Sequence, residues 1–130
     1  MKNLIFYFCC VGLVAPVDGN ALTMEGYIQM REEMTTDKVM EAMHKTYLFG
    51  IRDTVGMIFH LNDNRLDLGN FGAACLPSEE TNSTEMVEHI LVSTIAEARK
   101  DGWMDGPEGL KSMSGGGVVV AGYARLFPCN

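Results

Sequence analysis

The sequence predicts an all-α fold, a small helical bundle with one disulfide, on three observations. Apolar residues recur at steps of three and four in separate stretches, as they do on one face of a helix. No convincing second strand accompanies the single valine-rich run. Only two cysteines remain once an apolar N-terminal leader is set aside. The 130 residues fit one domain, and a 47% hydrophobic share supplies enough apolar area to offset the entropy of ordering the chain.

Residues 1–21 read as a signal peptide. Lys2 supplies the positive start, residues 4–14 the apolar run, and Gly19-Asn20-Ala21 the small residues a peptidase recognises. The run is shorter than the ~18 apolar residues of a spanning helix, so no membrane attachment is expected after its removal. Cys9 and Cys10 leave with it, and residues 22–130 form a single exported domain. Lys2 and Asp18 leave together, so the domain keeps the full charge of −7. That acidity, with no Lys/Arg cluster, excludes a nucleic-acid groove and favours a cationic protein partner.

A short helix is expected around residues 24–33. The next starts at Thr35 or Thr36 as cap, places Asp37 in its first turn, and runs to Leu61. Its inward stripe is expected to be Met40, Met43, Tyr47, Ile51, Val55 and Ile58. Ala42, Phe49 and Gly56 interrupt the opposite side, and Phe49 with Gly56 is the candidate dimer contact. A third helix begins with Asn82 as cap and Glu85 reaching back to it. It buries Val87, Ile90, Leu91, Thr94, Ile95 and Ala98, and ends at Gly102 in the left-handed conformation. The last helix starts at Pro107 with a stripe of Leu110, Met113, Gly117, Val120, Ala121 and Ala124. Gly115-Gly116-Gly117 and Val118-Val119-Val120 compete with that assignment, because glycine weakens a helix and valine suits a strand. The lack of a partner strand decides for helix.

Between these helices, residues 62–74 read as a long, polar, glycine-rich loop. Residues 101–107 are more unusual, combining the sole tryptophan with a methionine, two carboxylates and three turn-forming residues. Turned inward, Trp103 packs on its own domain. Turned outward, Trp103 and Met104 would anchor an interface while Asp101 and Asp105 steer toward a basic rim.

An exported domain meets an oxidising compartment, so a disulfide between Cys75 and Cys129 is the default; closing that loop of roughly 55 residues corresponds to about 4 kcal/mol in the chain-entropy account. The alternative makes Cys75 a nucleophile activated by His44, His60 or His89. Those histidines lack the spacing of a zinc site and read as surface residues; no metal or cofactor is expected. Ser112 to Gly117 lacks the Gly-Lys-Ser/Thr ending of a phosphate cradle. Asn82-Ser83-Thr84 matches a glycosylation acceptor, which a capping role explains equally well.

Three motifs together resemble the Tai immunity family, which guards bacteria against type VI secretion amidase effectors. They are Tyr47-Leu48-Phe49-Gly50-Ile51-Arg52-Asp53, Cys75-Leu76-Pro77 and Leu126-Phe127-Pro128-Cys129. The resemblance spans Tyr47 to Cys129 and departs from the family at the triple glycine, where the family tends toward alanine. It implies an all-helical periplasmic protein, usually dimeric, that is no enzyme itself and blocks the cleft of a peptidoglycan-cutting cysteine amidase. It also implies that Cys75 and Cys129 are joined. On this reading Asp101, Trp103, Met104 and Asp105 meet the cleft, and Glu85, Glu88 and His89 broaden the contact. A different class, an acid-stress chaperone that exposes apolar surface as its carboxylates protonate, fits the same composition.

Overall fold

The computed structural model describes residues 23–130. The expected leader, with Cys9 and Cys10, lies outside the described residues. Helix α1, Met24–Glu33, is capped by Thr23, whose hydroxyl accepts from the Gly26 amide at 3.2 Å. Helix α2, Lys38–Leu61, is capped by Asp37, which accepts from the Val39 amide at 2.8 Å. Thr35 and Thr36, the expected caps, instead donate back to the carbonyls of Glu32 and Glu33. A carboxylate wins the position because it accepts more strongly at the positive end of the helix.

The buried stripe of α2 is also rotated from the expected one. His44, Leu48, Ile51, Val55 and Phe59 face inward, while Met43 and Ile58 are exposed. Both stripes keep helical spacing and share Ile51 and Val55. The structure chooses the one that carries Phe59, whose ring meets Tyr123 edge-on at 5.8 Å.

Residues 62–74, expected to be a loop, fold partly into a hairpin, so the protein is mostly helical rather than purely all-α. Strand β1, Arg65–Asp67, pairs antiparallel with β2, Ala73–Cys75, in the register Leu66↔Ala74. Gly69 and Gly72 take positive φ angles of 60° and 87° in the turn between them, where a side chain would be strained. The chain end then joins this hairpin: Cys75 donates to the Phe127 carbonyl at 2.8 Å and Cys129 to the Ala73 carbonyl at 3.0 Å. The Cys75–Cys129 disulfide locks that junction, with Cα atoms 4.9 Å apart.

Helix α3, Thr84–Asp101, buries the six residues its periodicity marks, and Gly102 ends it in the left-handed conformation. Its cap is Ser83, accepting from Met86 at 3.1 Å, and not Asn82. Asn82 bonds elsewhere, its amide donating to the Arg52 carbonyl and accepting from the Tyr123 hydroxyl, both at 2.8 Å. That side chain therefore ties α2 to helix α4, Gly115–Leu126.

Helix α4 starts eight residues later than its proline suggested, capped by Ser114. Leu110–Ser112 forms a separate 3₁₀ turn. Its buried face is Gly115, Val118, Val119, Gly122, Tyr123 and Ala124, so Gly117, Val120 and Ala121 of the expected stripe lie away from the centre. Two glycines explain why the helix tolerates them. A methyl group on Gly115 would collide with the Tyr47 hydroxyl, and one on Gly122 with Ile90, so close helix packing offsets the propensity cost. The core joins all four helices and the hairpin through Tyr27, Phe59, Ala74, Leu91, Val119 and Tyr123. No helix among the described residues is long and apolar enough to cross a membrane.

Candidate functional site

Loop 101–107 emerges from α3 on a strong stop. Gly102 and Trp103 both donate to the Ala98 carbonyl, at 2.9 and 3.1 Å. The loop is then closed against the turn that follows it: Leu110 donates to the Trp103 carbonyl at 2.9 Å and Lys111 to that of Met104 at 3.0 Å. Gly109 is required there, since a side chain would strike the Asp105 backbone. Trp103 and Met104 are half-buried and rest on the core, while Asp101 and Asp105 are exposed. Asp105 pairs with Lys111 at 2.7 Å, which raises the lysine above its ordinary pKa. Tryptophan thus turns partly inward, with one side left available and a carboxylate before and after it.

Glu85, Glu88 and His89 are not brought to this loop. They occupy the first turns of α3, roughly 18–24 Å along its axis from Asp101. Glu85 and His89 are exposed. The first-turn backbone holds the Glu85 carboxyl below its ordinary range, helped by the Thr84 hydroxyl. Glu88 turns toward α1 and α2 instead, 3.9 Å from Arg31 Nη1 and 3.7 Å from His44 Nε2. Phe49 is exposed, with the Arg52 guanidinium 4.7 Å over its ring. Gly56 lies against Asn82 of its own chain, where an added methyl would sit 2.8 Å from Nδ2.

Both cysteines among the described residues are in the disulfide, so Cys75 is no free nucleophile. His44, expected at the surface, is 5% exposed and lies beneath Tyr27. It belongs to the true α2 stripe, seven residues before Ile51 and four before Leu48, a spacing the sequence already contained. Burial pushes its pKa down. Burial likewise pushes Tyr47 and Tyr123 up to about 12, so both stay protonated donors.

A second feature was missed. The outer face of α4, with Gly116, Gly117, Val120 and Ala121, floors an apolar groove of about 770 Å³ walled by Ile58, Phe71 and Trp103. Phe71 at the hairpin tip is 79% exposed. No signal in the sequence marked it, because it joins residues from five separated segments.

No family model, curated protein or solved structure matches this chain.

Proposed function

We propose that this protein is a periplasmic immunity protein that binds a type VI secretion peptidoglycan amidase and occludes its active-site cleft. The observation that carries the reading is loop 101–107: an aromatic and a thioether held half-exposed between two exposed carboxylates, Asp101 and the Lys111-paired Asp105, on a backbone fixed at both ends. A groove that admits an anionic polymer presents positive charge, and a pre-organised acidic protrusion fits it with little ordering cost on binding. The resemblance of three motifs to those of the Tai family supports the same reading, and two of these segments, Cys75-Leu76-Pro77 and Phe127-Pro128-Cys129, meet at the hairpin junction. The anchor set contracts to Asp101, Trp103, Met104 and Asp105; Glu85 and His89 reach the amidase only if it also spans the length of α3.

A homodimer belongs to this proposal. The α4 groove supports it better than Phe49 and Gly56, because the close approach at Gly56 is already taken by Asn82. Calorimetry with a type VI secretion peptidoglycan amidase tests the function. Replacing Trp103 and Asp105 together by alanine is expected to weaken binding about 30-fold or more, the scale of a lost anchor. An Asp101→Asn/Asp105→Asn variant, whose side chains are exposed, separates loss of contact from loss of fold. Unchanged affinity in both variants removes this loop from the interface.

A further inference from the structure

The one strongly buried titratable cluster among the described residues serves neither the amidase contact nor the groove. His44 projects from α2 into the angle between α1 and α3. Its ring lies 5.6 Å from that of Tyr27, with the planes 28° apart, and Nε2 is 3.3 Å from the Tyr27 hydroxyl. Tyr27 is fully buried, and its hydroxyl donates to Nε2 when the ring is neutral with its proton on Nδ1. Around this pair stand Arg31 from α1, Glu41 and Lys45 from α2, and Glu85 and Glu88 from α3. Arg31 Nη1 is buried and makes no hydrogen bond, so the cluster is incompletely satisfied.

We propose that His44 is an acid-sensitive latch for α1: its protonation favours a state in which α1 swings off α2 and α3 and uncovers the apolar surface beneath Met24, Tyr27 and Met30. A proton on Nε2 turns the acceptor of the Tyr27 bond into a donor. It also places a second cation near Arg31 on a ring whose side chain is only 6% exposed, where the charged form loses most of its hydration. Among the described residues Glu88 is the only carboxylate within ion-pair reach of the ring, at 3.7 Å, and it is shared with Arg31 and 39% exposed. Its attraction is therefore partly spent and partly screened, and burial, seconded by Arg31 and Lys45, outweighs it. The opened state hydrates the ring and lets it charge at the ordinary histidine value, near 6.5. Opening thus binds a proton that the closed state refuses. Its equilibrium constant rises as pH falls below about 6.5, by at most tenfold per unit, until the closed state itself protonates.

Helix α1 is suited to such motion. It is short: at its start the Met24 amide donates to the Met113 carbonyl at 2.8 Å, beside the Thr23–Ser114 bridge, and at its end the Glu33 carbonyl accepts from Thr36 and Asp37 in the turn to α2, about which it can pivot. The device is independent of any amidase, so the test uses the free protein. Amide hydrogen exchange, corrected for intrinsic rates, is measured at pH 6.5 and 5.5. The expected result is about a two- to fivefold loss of protection confined to α1, with α3 unchanged, that disappears in His44→Gln, whose amide oxygen still accepts from Tyr27 without titrating. His60→Gln/His89→Gln keeps the effect. Loss spread evenly over all helices overturns the proposal, as does persistence in His44→Gln. Should that variant not fold, the wild-type ring decides by NMR: titration of His44 at or above 6.5 overturns the latch, and titration clearly below supports it.

Discussion

Replacing Asn82 by alanine removes two hydrogen bonds that connect three segments. Its Nδ2 donates to the Arg52 carbonyl of α2, and its Oδ1 accepts from Tyr123 on α4. An ordinary hydrogen bond contributes about 1 kcal/mol net, but Tyr123 is fully buried, so its hydroxyl would be left desolvated at a cost of about 1–3 kcal/mol. The expected loss is about 2–4 kcal/mol, read as a lower urea midpoint with unchanged slope and a melting temperature lower by roughly 10–25 °C. A double-mutant cycle isolates the mechanism. Tyr123→Phe in the wild type is costly, whereas in Asn82→Ala it removes only an orphaned hydroxyl, so a coupling of about 1 kcal/mol or more is expected. Gly56 supplies an internal check. Its missing side chain leaves room for the Asn82 amide, so Gly56→Ala is expected to destabilise the wild type more than the Asn82→Ala protein. A coupling below about 0.3 kcal/mol would refute the bridge and return Asn82 to the role of a helix cap.

The glycines of α4 are expected to separate by position. Gly116→Ala, where an added methyl meets nothing, raises stability by about 0.5–1 kcal/mol, whereas Gly115→Ala and Gly122→Ala each lower it by about 1–3 kcal/mol, as read from urea midpoints. Converting Cys75 and Cys129 together to serine opens a loop of sequence separation 54 and is expected to cost about 4 kcal/mol; a loss under about 1 kcal/mol would mean that the hydrogen bonds between the hairpin and the chain end hold the junction without the bridge.

The sequence was most legible where periodicity and punctuation agree. Helix α3 has five apolar positions and Thr94 in phase, acidic residues first, Arg99 and Lys100 last, and a glycine after them, and its buried face and end form as read although Ser83 replaces Asn82 as cap. The expected bounds of α1 also match, and a disulfide joins the expected cysteines. Helix α2 shows why pattern alone is insufficient. Two stripes of equal spacing run along it, and the one chosen contains a histidine, which hydropathy excludes and a tyrosine partner on α1 makes acceptable. The hairpin was invisible because its strands have three residues each, and β2 is completed by the chain end more than fifty residues later. Asn82 was misread for a related reason. Asparagine before a helix signals a cap, and only the fold brings Tyr123 to it. Of the candidate site, loop 101–107 was legible by composition; that Glu85 and Asp101 lie at opposite ends of one rod follows once the helix is drawn at full length.

The candidate interface and the latch meet in one stretch of chain. Loop 101–107 owes its shape to residues 110 and 111, which hold the Trp103 and Met104 carbonyls. Those residues lie in the 3₁₀ turn at Leu110–Ser112, and Leu110 is fully buried in the core that Met24 and Tyr27 help to form. The chain continues to Met113, whose carbonyl receives the Met24 amide, and to Ser114, bridged to Thr23. Helix α1 therefore buttresses the turn that buttresses the loop. When α1 opens, the loop keeps its residues and its charge but loses part of the support that fixes its geometry, and a flexible acidic loop must be ordered again on binding. On the proposed latch, acidification acting through His44 is expected to loosen loop 101–107 at a distance, through packing alone.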